Sequence, residues 1–563
     1  MENENASGSL EEIGRRDHSI TSEYRIFGPP GTGKTTNLSR QIGRGVEKYG
    51  SDAVLITSFS RAAAAELAGR DLPVAPDRIG TLHSHCFHAL GGPEIAEANV
   101  EEWNRANQHL QLTPVEKRGK LNGEEALEDD SDVAKDGDKL LRQLNRFRGL
   151  MMPRTLWPAA LLDFERRWRR YKEENGLLDF TDLIEKCLFD VAVAPGNPSV
   201  IFADEAQDLN VMQLRLIRKW GERANYFILA GDDDQTIYSF TGASPEAILD
   251  PDIPDDHKIV LKQSYRVPAA VHSLANALIH RVTRRQEKIY LPRPETGFVE
   301  RLSRGSYRSP EYSILKTAAK HLVDGRTVMF LASCSYMLNP LIKALRANAI
   351  PFWNPYRRSN GAWNPISLAR RGSSANRVLA LLVAHPDFGE DHRPWTHGDL
   401  ALWAECLSSK GILRHGAKRR LTAYDARQPV APETLDEIFE AGALDSLLEA
   451  YEGDYRALLA WWRGQMNPDF RKRTEFPSEI ARQRGPQALA EQPRVVVGTI
   501  HSVKGGQADV VYLFPDLSQA GEAHYRRDGP PRDSVIRLFY VGATRAREAL
   551  YICQRETAMA VSI

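Results

Sequence analysis

Residues 25–36 read RIFGPPGTGKTT, in which Gly28 is followed after four residues by Gly33, Lys34 and Thr35. That spacing suits a phosphate chain. Gly28, Pro29, Pro30, Gly31, Thr32 and Gly33 form a loop whose backbone N–H groups can wrap an anion. The helix expected after it adds its dipole. Lys34 is expected to reach the β- and γ-phosphates and the Thr35 hydroxyl to bind Mg²⁺, with Thr36 completing the loop. A second segment, SVIFADEAQDLN (199–210), is an apolar strand that ends in two acids. Asp204 is placed to hold Mg²⁺ through water, and Glu205 to orient and deprotonate an attacking water. A lone acidic pair at a strand end is ordinarily a cap or a solvated turn. Beside a phosphate loop, a nucleoside-triphosphate hydrolysis site is the better reading.

A third segment, DDDQTIYSF (232–240), joins three acids, one amide and two aromatics. By residue type alone the acids fit either a solvated turn or a metal site.

These segments need strands and helices to hold them. Short β-rich runs recur at 24–27, 54–59, 199–204, 226–232, 259–262, 328–332, 495–499 and 510–514, with helix-like stretches between many of them. Buried strands alternating with helices imply parallel α/β sheets. The runs cluster in two sets, each interrupted by a mainly helical stretch, so two α/β cores with one insertion each are expected. A chain of 563 residues exceeds a single core in any case. The polar stretch 117–139 is expected to be a mobile loop. The helix ERRWRRYK (165–172) reads either as a DNA-binding face or as a solvated helix with Trp168 and Tyr171 packed inward.

Composition narrows the class without choosing a partner. The 74 basic and 74 acidic residues cancel, which is compatible with a locally basic channel on a neutral protein. Five scattered cysteines without a CxxC pair argue against a zinc ribbon and for a reducing compartment. The polar N-terminus has no secretory apolar region, and no run of eighteen apolar residues exists to span a membrane. A soluble cytoplasmic protein is expected.

After the phosphate loop come ADEAQD, LAGDDDQTIYSFTGA (229–243), LKQSYRVP (261–268), VGTIHSVKGGQADVVYL (497–513) and RLFYVGATRAREALYI (537–552), in that order. ITSFSRAAAAEL (56–67), GTLHSHCFHAL (80–90) and LLDFTDLI (177–184) fall between the loop and these motifs. Together they resemble the UvrD/Rep type of superfamily 1 DNA helicases, from about residue 25 to 555. The resemblance implies two RecA-like P-loop cores: 1A at 1–85 and 178–262, and 2A at 263–355 and 489–563. Insertions 1B (86–177) and 2B (356–488) are placed by position only.

The resemblance also implies roles for particular residues. Gln235 contacts the γ-phosphate and the attacking water, since an amide can donate to one and accept from the other. Tyr265 stacks on adenine and Arg266 touches the γ-phosphate. Arg545 is a second arginine finger from the other core. Tyr238 and Phe240 offer stacking surfaces to single-stranded DNA, the alternative being that they are core aromatics. Phe59, Arg61, His83, Thr499 and His501 are the remaining single-strand contacts. The implied activity is ATP- and Mg²⁺-dependent translocation along single-stranded DNA with 3′→5′ polarity, and unwinding at duplex junctions.

Three features depart from the family pattern. The glutamine segment that reads adenine is not found before Tyr24, so selectivity falls to Tyr265 and backbone. Gln507 stands where a ribose-contacting glutamate is usual, and it lacks charge assistance. The chain ends eighteen residues after Arg545, so no nuclease or long tail is expected after it. One alternative is a DNA-stimulated NTPase that works with a protein partner in a repair or defence complex without unwinding. A small-molecule P-loop kinase is another, disfavoured by the paired arginine motifs.

Overall fold

The computed structural model describes residues 23–59, 61–70, 72–114, 135–356, 363–369 and 371–563. The chain divides into two compact units. The first comprises Met1–Glu300, Pro515–Leu550 and Met559–Ile563; the second comprises Arg301–Phe514 and Tyr551–Ala558.

The first unit is built on β1 (Glu23–Phe27), β2 (Val54–Ser58), β3 (Ile79–Thr81), β4 (Val200–Asp204), β5 (Tyr226–Gly231) and β6 (Lys258–Val260). They pair in the order β3-β2-β4-β5-β1-β6, every pairing parallel. Their apolar runs follow from burial on both faces. Successive strand residues point to opposite sides, so one run fills two cores. Ile56, Phe202 and Ile228 meet Leu38 and Ile42 of α1 (Lys34–Tyr49) on one side. Leu55, Ile201, Ala203 and Leu229 meet Ile184, Leu216 and Trp220 on the other. In a parallel sheet all strand carboxyl ends share one edge, and the turns after β1, β4 and β5 collect there.

The second unit carries β10 (Val328–Ala332), β11 (Phe352–Trp353), β12 (Val495–Thr499) and β13 (Ala508–Leu513) in the order β11-β12-β10-β13. Its three β10–β12, β10–β13 and β11–β12 pairings are parallel. The chain passes between the units within β9 (Phe298–Arg301) and β14 (Ala546–Ile552). Helices from Ser374 to Arg484 form the interruption, around Trp403, Phe439 and Trp462. The expected α/β class with parallel sheets and helical insertions is what the chain adopts.

The basic helix Ala159–Asn175 takes the inward-packed arrangement. Trp168 is buried beside Trp103 and Tyr171, with ring centroids 5.1 and 5.5 Å away. Arg167 and Arg170 pair along the helix with Asp163 and Glu174 at 2.9 and 2.7 Å. Of the polar stretch 117–139, residues through 134 lie outside the described part. From Asp136 onward it is helix, not loop, with Asp136 and Asp138 in a first turn that favours acids. Among the described residues no helix is long and apolar enough to cross a membrane.

Candidate nucleotide site

β1 ends at Phe27, and the Gly28 amide donates to Gly231 O at 2.9 Å, tying the phosphate loop to the end of β5. The Thr32 hydroxyl donates to Pro29 O at 2.8 Å and closes the loop on itself. Gly33 has φ +74° and hands the chain into α1. No acid occupies the first turn of α1, which leaves its dipole open to an anion.

The segment carrying Tyr265 and Arg266 is bolted to this loop. In β7 (Gln263–Pro268), the Tyr265 amide donates to Gly31 O at 2.8 Å and the Ser264 hydroxyl to Pro30 O at 2.8 Å. Gly31 permits the approach, since a Cβ there would lie 2.4 Å from Arg266 Cβ. Tyr265 is 71% exposed beside the loop, as a stacking ring needs to be.

At the end of β4 the Lys34 ammonium contacts Glu205 Oε1 at 2.6 Å. Burial would lower its pKa, but the Glu205 and Asp204 carboxylates outweigh burial and raise it, so Lys34 stays charged. Glu205 has φ +53°, a left-handed conformation that costs a non-glycine residue about 1–3 kcal/mol. Gln207 stabilises this turn: its Nε2 donates to Glu205 Oε2 at 2.5 Å and its Oε1 accepts from the Asp232 amide at 3.0 Å. Asp232 Oδ2 in turn accepts from Gln235 Nε2 at 2.8 Å, and Gln235 Oε1 accepts from Arg545 Nη2 at 3.1 Å. An unbroken chain of contacts therefore runs from Lys34 through Glu205, Gln207, Asp232 and Gln235 to Arg545.

Arg545 lies in the same compact unit as the phosphate loop. Helix Pro530–Ala543 brings it there, anchored where the Thr283 amide donates to Asp533 at 3.1 Å. Arg545 is 1% exposed, and its Nε also donates to Val541 O at 2.9 Å.

Beyond Gln235 the same turn leads to aromatics. The Tyr238 ring stacks on Phe59 at 5.6 Å and meets Phe240 edge-on at 5.9 Å. Tyr238 is half-buried and Phe240 exposed, so the core alternative describes Tyr238 better than Phe240. Arg61 opens helix Arg61–Ala68, but its side chain lies outside the described part. His83 packs edge-on to Phe180 at 6.3 Å, and burial pushes its imidazole down to about 4. It is therefore neutral at physiological pH and suited to a neutral contact. Thr499, His501 and Gln507 belong to the second unit. Thr499 Oγ1 accepts from the Ser502 amide at 3.2 Å, His501 is half-buried, and Gln507 is exposed just before β13.

Thr35 and Asp204 are both hard oxygen donors, one in the first turn of α1 and one at a neighbouring strand end. A hydroxyl and a carboxylate suit Mg²⁺, which keeps waters and phosphate oxygens for its remaining positions. Sequence reasoning missed Gln207 and Ser264 as links. Gln207 lay within a quoted motif, but its bond to a residue 25 positions away has no local signature.

A strand, a phosphate loop capping a helix, and an acidic strand end beside the loop lysine are the parts of a P-loop nucleotide site. The chain matches the UvrD/REP helicase N-terminal domain over residues 14–253 and the UvrD-like helicase C-terminal domain over 494–553. Together these cover more than half of it, and it belongs to the UvrD/Rep helicase family. It is 24% identical to the putative ATP-dependent DNA helicase YjcD of Bacillus subtilis, over 47% of this chain and 37% of that one. It is 26% identical to the ATP-dependent DNA helicase Rep of Buchnera aphidicola (60% and 53% covered). It is 21% identical to a probable DNA helicase II homolog of Mycoplasma pneumoniae (94% and 81%). The chain thus spans between about a third and four fifths of the relatives it matches.

Proposed function

We propose that this chain is an ATP-dependent, Mg²⁺-requiring translocase and helicase acting on single-stranded DNA with 3′→5′ polarity, and on duplex DNA at junctions. The observation that carries this reading is the hydrogen-bonded path from Lys34 to Gln235 and Arg545, on the same turn that continues to Tyr238 and Phe240. One short segment can then report nucleotide chemistry to a surface fit for bases.

The chemistry follows from the side chains. An incoming triphosphate offers Lys34 oxygens in place of Glu205. Released from the ammonium but still held by Gln207, Glu205 can take a proton from water. Gln235 can donate to a γ-phosphate oxygen while accepting from that water. Arg266 and Arg545 neutralise charge as it develops, a role worth about 10³–10⁵-fold in this chemistry. Mg²⁺, held by Thr35 and Asp204, would supply charge neutralisation at the phosphates. Tyr265 takes the adenine, with Gln507 offered to the ribose. On the DNA side, Phe59, Tyr238 and Phe240 stack bases whatever their identity, with Arg61, His83, Thr499 and His501 as further contacts. With this reading go the partition into 1A, 1B, 2A and 2B and a cytoplasmic setting; the alternative is a DNA-stimulated NTPase working with a protein partner in a repair or defence complex.

The test is ATP hydrolysis by the purified chain with and without single-stranded DNA at two salt concentrations, beside a Glu205→Gln control. Strong, salt-sensitive stimulation that is lost in the control is expected. Hydrolysis indifferent to DNA would overturn the motor reading. DNA-stimulated hydrolysis without strand displacement would leave a DNA-dependent NTPase that needs a partner to unwind.

A further inference from the structure

We propose that Lys288 and Arg285 are positioning residues for hydrolysis, clamping the buried turn Asp232–Gln235 and so fixing the Gln235 amide and, through it, the Arg545 guanidinium. The proposal rests on reading the phosphate-loop site as a hydrolase.

Asp232, Asp233 and Asp234 are all 0% exposed. Three adjacent carboxylates out of water are tolerable only if cations and N–H donors meet them. Those groups come from more than fifty residues away, in the segment between helix Ala269–Ile279 and β8 (Leu291–Arg293). Lys288 is itself buried. Its ammonium sits 3.0 Å from Asp232 Oδ1 and 2.9 Å from Asp234 Oδ2, and it also pairs with Asp233. An ammonium has three N–H donors, and here each acid supplies one acceptor. Arg285 forks onto Asp234, with Nε at 3.0 Å and Nη2 at 2.6 Å. The Gln286 amide donates to Asp233 Oδ2 at 2.9 Å. Every carboxylate of the turn is thus gripped by one short segment.

The grip bears on chemistry because Asp232 has two jobs. One of its oxygens faces Lys288, while the other receives the Gln235 amide, whose own oxygen holds Arg545. If the turn shifts, the amide and the guanidinium lose their registration together. The phosphate loop keeps its own supports in the Thr32, Ser264 and Tyr265 hydrogen bonds, although the Gly28 amide ties it to Gly231, the residue before the turn. Burial pushes Asp233 up to about 6 despite Lys288, in keeping with three acids facing two cations. Releasing Lys288 leaves three buried carboxylates facing one cation, whereas releasing Arg285 leaves Asp234 still paired with Lys288.

The experiment measures kcat and KM for ATP, with and without single-stranded DNA, and the Kd of a fluorescent ADP derivative. It compares the full chain with Lys288→Met, Arg285→Met and Arg285→Lys. Loss of registration is expected to lower kcat about a hundredfold in Lys288→Met. A fall of about tenfold is expected in Arg285→Met, where Lys288 still pairs Asp234, with recovery in Arg285→Lys. ADP affinity should stay within about twofold of the unaltered chain, because the loop that binds phosphate keeps its own supporting hydrogen bonds. Lys288→Met removes a buried cation, so if it does not fold the Arg285 pair decides. Unchanged kcat in folded Arg285→Met, or kcat and ADP affinity falling together, overturns the positioning role. An unaltered chain that binds ADP but hydrolyses no ATP under any condition overturns instead the hydrolase reading, and the clamp's catalytic role with it.

Discussion

Gly31 carries the strictest single-residue demand in the nucleotide site. Its φ is +74°, and a Cβ would also come within 2.9 Å of the Ser264 hydroxyl. Gly31→Ala is therefore expected to cost about 1–3 kcal/mol of stability. It should also raise KM for ATP by about tenfold or more, by pushing Tyr265 and Arg266 off the loop. Urea unfolding and steady-state kinetics check both halves. The placement of the glycines, Lys34, Thr35, Asp204 and Glu205 at strand and helix ends was legible because it depends on near neighbours along the chain. Gln207 and Lys288 were not, because what each does depends on an atom supplied from a distant part of the sequence. The acid triplet is the clearest case. Its composition fits a solvated turn or a metal site, whereas its carboxylates are buried around a lysine ammonium.

At the scale of elements, LLDFTDLI shows a motif whose work is docking. Asp179 caps helix Phe180–Asp190 and is fully buried. It accepts from Trp168 Nε1 at 3.0 Å, Lys172 Nζ at 2.6 Å and Arg148 Nη1 at 3.0 Å. Burial would raise its pKa, but the two cations outweigh burial and hold it well below the usual carboxylate range. Three helices are joined at this one carboxylate. Beside it, Glu97 Oε1 accepts from the Phe180 amide at 3.2 Å, while Oε2 is buried with no hydrogen-bond partner. Burial, aided by the Asp179 charge and opposed by Lys172, pushes Glu97 up to about 8. A raised carboxylate stabilises the fold fully below its ordinary pKa, and that contribution is lost as pH rises through about 8. Glu97→Gln should therefore match the unaltered chain at pH near 5 and be more stable by about 1–2 kcal/mol above pH 8. Denaturant unfolding at the two pH values reads this directly, and equal stability at high pH would reject it.

For the whole molecule, the expectation is a motor whose grip on DNA can be weakened without disabling its hydrolysis. Phe240 is exposed and lies in the short turn that follows the one holding Gln235. Phe240→Ala should weaken single-strand binding by about 1–3 kcal/mol, read by fluorescence anisotropy, while DNA-free hydrolysis stays close to that of the unaltered chain. A loss of DNA-free hydrolysis would mean that the ring supports the site and not the strand.

The sequence by itself determined the class: parallel α/β sheets, a phosphate loop, an acidic strand end and the order of motifs that places the chain in its family. These are readable because each depends on residues a few positions apart, where strand period, helix start and loop spacing are set by local geometry. Only the tertiary structure decided that the acid triplet is gripped by Lys288 and Arg285, and that Trp168 faces inward. It alone decided that Arg545 shares a compact unit with the phosphate loop and meets Gln235 there. Those outcomes turn on the partner that each buried charge or ring finds. That partner is chosen by the packing of segments up to 310 residues apart, which no local pattern encodes.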